Sequence, residues 1–243
     1  GVMTSAERKR MAELIAPNPE DLETYKDFLD QDRTGIFRIF PNADCVEKNV
    51  VRVGGDCESF VPDHNTYRFR PGSTTEDIAF NSDRLRAIGF FRQYLLGNIG
   101  DVDLRTLAKG DARLKFIEGF TPGTTMGSAR EQSRELREGI DADGVKYSFA
   151  AAPELNSSYA LRIIAYEIGN NVEKRLFESR GKPQDPARMF AALRRDKQID
   201  MLVVFRIIRK DVDGNITIIW KELDRNDPPK ITFGKNETWG DFK

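Results

Sequence analysis

The chain has 243 residues and a mass of 27.7 kDa, room for one large domain or two small ones. Its 38 basic and 39 acidic residues nearly cancel, which argues against a protein that coats nucleic acid through bulk charge, and no apolar run approaches the length of a membrane span. With 39% hydrophobic residues it can build a core; with one histidine and two cysteines it cannot build His-rich metal sites, zinc ribbons or single-chain iron–sulfur clusters.

At the N-terminus, Thr4 can cap a helix whose apolar side is Met11, Leu14 and Ile15, and Pro17 and Pro19 stop it. Asn18 can cap a second helix, with Pro19 at its first position and Glu20 and Asp21 in the first turn. Residues 1–34 thus read as a helical segment packed on the rest. From Gly35 the pattern turns strand-like: Ile36–Phe40, Asn49–Val53 and Thr66–Arg70 are short, aromatic or β-branched, and bounded by Pro, Gly or Asn. Ile88–Leu96 suits a buried strand or a helix. Leu114–Phe120 reads as a strand that Pro122 and Gly123 break. Ser128–Gly139 has the composition of a solvated helix or excursion.

Val145–Ala150 and Ser158–Ile168 read as two strands. The strongest hairpin signal joins Asp200–Lys210 to Asn215–Leu223 across Asp211-Val-Asp-Gly-Asn215. Asn170–Lys197, charged and partly helical, reads as an insertion before that hairpin. Residues 226–243 read as a tail that wraps the surface. The expected fold class is α+β, with a mainly antiparallel sheet, N-terminal helices and a single domain over 35–225 that carries the insertion.

Cys45 and Cys57 enclose a loop that can close into a disulfide, worth about 3 kcal/mol by loop entropy, and such a bond implies an oxidising compartment. Two free thiols or a redox pair are the alternatives, although redox pairs usually use Cys-x-x-Cys. Gly1 to Ile15 is charged and does not read as an export leader. A trimmed, mature chain is compatible with that.

His64 follows Asp63, and the two are candidates for a hydrolase, as base and orienting acid; adjacency in sequence is not triad geometry, and no Gly-x-Ser-x-Gly elbow is present. Asp211 and Asp213 begin like a calcium loop but lack its third acidic position and closing Glu, so a hairpin turn competes with a calcium site. Asp101 and Asp103 pose the same choice. Arg162 and Arg206 interrupt apolar strands. On one face of adjacent strands they would need an acidic partner, for which Glu222 is the candidate, or an anionic ligand. No cofactor is expected.

Several of these segments together resemble an uncharacterised bacterial family often described as secreted. They are Arg52-Val-Gly-Gly55 with Ser59-Phe60, Asp77-Ile78, Gly100-Asp-Val-Asp-Leu104, Phe116 to Pro122, Ser158-Tyr-Ala-Leu-Arg-Ile-Ile164, Asp200 to Asp211, Asp213-Gly214 and Trp220-Lys221. The likeness spans Pro17 to Leu223, is most specific in the final hairpin, and carries over no catalytic residue. It implies one architecture over that length and export. The resulting expectation is a non-enzymatic binding or interaction protein of the bacterial cell surface or periplasm, self-associating or part of a larger assembly. A hydrolase using Asp63 and His64 and a calcium-stabilised surface module are the alternatives.

Overall fold

A computed structural model describes residues 4–41, 66–69, 77–81, 83–87, 92–168, 198–212 and 214–237. Helices α1 (Ser5–Ile15), α2 (Pro19–Thr24) and α3 (Lys26–Leu29) lead into β1 (Thr34–Ile39). As the sequence suggests, Asn18 caps α2, its side chain accepting from the Glu20 amide at 2.9 Å.

The centre is a five-stranded sheet formed by β1, β5 (Arg92–Gly100), β9 (Ser158–Ala165), β11 (Ile199–Lys210) and β12 (Ile216–Asn226). Its order is β1-β12-β11-β9-β5, with every neighbouring pair antiparallel. The fold is therefore α+β with a mainly antiparallel sheet. The described part of the ambiguous Ile88–Leu96 stretch, Arg92 to Leu96, is strand within β5.

Both faces of this sheet are covered, which explains why β9 and β11 read as nearly continuous apolar runs rather than alternating ones. One face packs on a small sheet, ordered β2 (Thr66–Tyr67), β3 (Ile78–Asn81), β4 (Arg84–Ala87), β8 (Ala150–Ala151). Its core includes Phe69, Ile78, Leu85, Leu161, Val203, Phe205 and Ile218. A buried ion pair fastens this layer to β5: Asp77 accepts from the Phe69 amide at 2.9 Å and meets Arg92 at 3.4 Å.

The other face packs on α3, two short 3₁₀ turns (Leu104–Thr106 and Ala112–Leu114), α4 (Lys115–Gly119), α5 (Met126–Glu138) and the hairpin of β6 (Ile140–Ala142) and β7 (Val145–Tyr147). Leu114–Phe120, expected as a strand, is 3₁₀ turn and helix. The Asp111 carboxylate caps that turn, and Leu114 and Ile117, three apart, are the residues buried. A seven-residue apolar run has no periodicity long enough to separate the two forms. The polar Ser128–Gly139 stretch is α5. Thr125 and Ser128 form a capping box, and Met126, Ala129 and Leu136 make a narrow buried stripe.

Past β12 the tail crosses to pair Lys230–Ile231 (β13) in parallel with Glu167–Ile168 (β10). The whole of the expected insertion Asn170–Lys197 lies outside the described residues, as does the Asn49–Val53 strand. Among the described residues no helix is long and apolar enough to cross a membrane.

Candidate binding surface at the hairpin end of the sheet

The register places Arg162 opposite Leu202, and Arg206 opposite Ser158, so both guanidinium groups do share the helix-side face. They stand two rows apart and reach different partners. Arg162 grips Asp200 in a fork, Nε to Oδ1 at 2.8 Å and Nη2 to Oδ2 at 2.7 Å. Its Nη1 also donates to the carbonyls of Ile117, Glu118 and Phe120 at 2.9, 3.2 and 2.7 Å. It thereby satisfies the end of α4, whose last carbonyls have no partner within the helix.

Glu222, the expected acidic partner, belongs elsewhere. Its carboxylate pairs with Arg225 and with Arg33. The reason is register: Arg206 stands opposite Ile219, so the side chains in line with Ile218 and Trp220, Glu222 among them, face the small sheet instead.

Arg206 lies nearer the hairpin. It donates to the Val102 carbonyl at 3.1 Å and the Ser158 hydroxyl at 3.3 Å, and pairs with Asp101 at 2.7 Å. One row further on, Arg38 and Arg209 both stand opposite Thr217. Arg38 pairs with Asp211 at 2.7 Å and lies over the Phe40 ring. Arg209 forks onto Asp21, with both contacts at 2.7 Å, and reaches Glu20 at 3.0 Å, tethering α2 to the end of β11.

Three exposed apolar side chains lie next in sequence to residues bonded to this arginine group or to β11 beside it. Val212 (110% exposed) follows Asp211 at the hairpin tip, Leu22 (40%) follows Asp21, and Leu155 (51%) precedes Asn156, whose amide donates to the Ile207 carbonyl at 2.9 Å. Each thus adjoins a residue bonded to the last turn of β11 or to its neighbour Arg38. Sequence patterning marks Leu22 only as one of the helically spaced apolar residues with Tyr25, Phe28 and Leu29, and marks none of the three as a contact residue. Val212 carried the one visible signal, an apolar residue inside an otherwise polar turn. The Arg209–Asp21 pair joins residues 188 apart and had none.

The Asp211 loop has hairpin-turn geometry. Asp211 N donates to the Asn215 carbonyl at 2.8 Å, Gly214 N donates back to the Asp211 carbonyl at 3.0 Å, and Gly214 takes φ +87°, a conformation that favours glycine. The Asp211 carboxylate is engaged by Arg38, and Asp213 lies outside the described residues. Asp103 is likewise engaged, capping its 3₁₀ turn and gripping Arg105. Among the described residues no three His, Cys, Asp or Glu side chains gather as a metal site. Asp63, His64, Cys45 and Cys57 lie outside the described residues.

Asp111 repeats the Asp103 arrangement. The Arg113 side chain, then its backbone amide, hold the Asp111 carboxyl down at about 2. A depressed carboxylate favours the folded form above its ordinary pKa, and that contribution is lost as pH falls from about 4 through about 2. Carboxyl-carbon NMR should therefore find the Asp111 midpoint near 2 in the intact protein, and Arg113→Ala should return it toward the ordinary 3.8. An unshifted midpoint in the intact protein would remove the cap.

Comparison with protein-family models, with curated proteins and with solved structures returned no match.

Proposed function

We propose that this chain is a non-enzymatic binding or interaction protein of the bacterial cell surface or periplasm, and that it docks a protein partner through the hairpin end of its central sheet. The observation that carries the reading is the coincidence at that end of Leu22, Leu155 and Val212 with Arg38, Arg206 and Arg209. Exposed apolar side chains at the same end as several arginines suit a contact surface, because arginine is enriched where partners meet.

The acids there support the same reading. Glu20 and Asp101 are 75% and 78% exposed, so their pairs with arginine are screened by water and can exchange for a partner's carboxylates at little cost. The partner that fits has an apolar centre and a mixed-charge rim. The resemblance to secreted bacterial proteins supports the compartment. Mass spectrometry without reductant tests the Cys45–Cys57 bond that such a compartment favours.

The test is a Leu22→Asp/Leu155→Asp/Val212→Asp variant. Exposed substitutions of this kind change stability by about 0.5 kcal/mol or less each, so the variant should fold. It should lose the partner that the unaltered chain captures from envelope extract. A folded triple variant that captures the same partner with the same yield would sink the reading.

A further inference from the structure

We infer that the acidic side of the partner's rim is one extended segment with carboxylates at alternate positions, and that Glu20 and Asp101 hold its places on Arg209 and Arg206 until it arrives. This rests on the hairpin-end reading and names the chemistry of what docks there. The two arginines are three residues apart on β11, a spacing that puts side chains on opposite faces of a regular strand. The ladder with β12 shows why they share one. Ile207 pairs with Ile218 and Arg209 with Thr217, which leaves Ile208 as the extra residue of a β-bulge and returns Arg209 to the face of Arg206. The residues opposite them on β12, Ile219 and Thr217, are two apart, about 7 Å along the strand. Carboxylates at alternate positions of an extended segment have that same spacing and also share a face.

Each arginine is anchored on its inner side and offers an outer one. Arg206 Nη1 donates to the Val102 carbonyl and to the hydroxyl of the fully buried Ser158, while Nη2 meets Asp101. Arg209 forks through Nε and Nη2 onto the largely buried Asp21 carboxylate, and Nη2 also meets Glu20. Its Nη1 has no acceptor among the described residues. The exposures decide which sign of partner fits. The Asp101 and Glu20 side chains are mostly in water already, so leaving their arginines costs them little solvation. Arg206 is only 16% exposed, and a basic partner that drew Asp101 away would strand its charge. An incoming carboxylate trades places with Asp101 and keeps the guanidinium paired. At Arg209 the Asp21 fork stays in place and Nη1 gains an acceptor.

The experiment titrates the intact, isotope-labelled chain with acetyl-Leu-Glu-Thr-Glu-Leu-amide and with its Leu-Gln-Thr-Gln-Leu counterpart, and follows the arginine Nε–H signals by NMR. The same titration is run on Glu20→Gln/Asp101→Asn, whose two changes are exposed and isosteric. The glutamate peptide should shift and saturate the Arg206 and Arg209 signals of the unaltered chain, and the glutamine peptide should not. The double variant should bind the glutamate peptide about three- to tenfold more tightly at low salt, the factor for removing two exposed competing pairs. It should likewise capture more of the envelope partner. Equal behaviour of the two peptides, or a double variant that binds the glutamate peptide no more tightly, would overturn the inference. Leu22→Asp/Leu155→Asp/Val212→Asp tests the hairpin-end reading separately. If it loses the partner while Glu20→Gln/Asp101→Asn captures it no better, the surface stands and the acidic segment falls.

Discussion

Replacing Arg162 with methionine should destabilise the protein by about 3–5 kcal/mol in urea denaturation, the range for breaking a largely buried ion pair from one side. The arginine has two tasks. It neutralises Asp200, and it satisfies three carbonyls at the end of α4. Methionine fills similar volume and does neither, leaving a charge stranded against the sheet. Adding Asp200→Asn to the same chain should recover part of the loss, because the stranded charge is then gone while the carbonyls remain without a donor. A coupling of about 0.5–3 kcal/mol between the two sites is expected. Strictly additive losses would show that the fork contributes nothing as a pair.

Phe205→Ala should cost a comparable amount, about 3–5 kcal/mol, through the cavity it leaves on the other face. Phe205 is fully buried between Tyr159, stacked at 5.0 Å between centroids, and Phe69 at 6.2 Å. The rings continue outward through Phe37, Tyr67 and Trp220, where Tyr67 stacks on Phe37 and Trp220 donates to the Tyr67 hydroxyl at 3.2 Å. Trp220 in turn lies over Gly35, where an added Cβ would sit 2.5 Å from its ring nitrogen. Burial lifts the Tyr159 hydroxyl to about 12. In Phe205→Ala a loosened ring stack should let that phenol ionise at lower pH, which absorbance at 295 nm would record. A variant with unchanged stability and unchanged tyrosine titration would mean that the rings are not packed as described.

The two arginines bear on how much of the architecture the sequence carries. Alternation allows them one face only if their strands are neighbours, and the β9–β11 pairing supplies that condition. The identity of their partners did not follow. Alternation says which side chains of β12 share a face, but only the register with β11 says which face that is, and two register shifts interrupt this ladder. Asp200 was in view as the first residue of an expected strand. Its pairing with Arg162 depends on which strand lies beside which, and local pattern does not encode that. The β11–β12 hairpin was legible because turn chemistry and apolar runs point the same way at Asp211–Asn215. Leu114–Phe120 was misread because its apolar residues serve a helix too short to show its period. The Arg209–Asp21 tether was hidden for the opposite reason. Glu20 and Asp21 have a complete local explanation as first-turn acids of α2, so nothing hints at a second partner across the chain.

The central functional claim is that a partner meets the hairpin end of the sheet. Hydrogen-exchange mass spectrometry on the chain alone and in its captured complex reads that directly. Slowed exchange is expected only in peptides covering 15–24, 153–158 and 208–216, with the small sheet around Ile78 and Leu85 unchanged. Slowed exchange elsewhere, with those three segments as open as in the free chain, would contradict it.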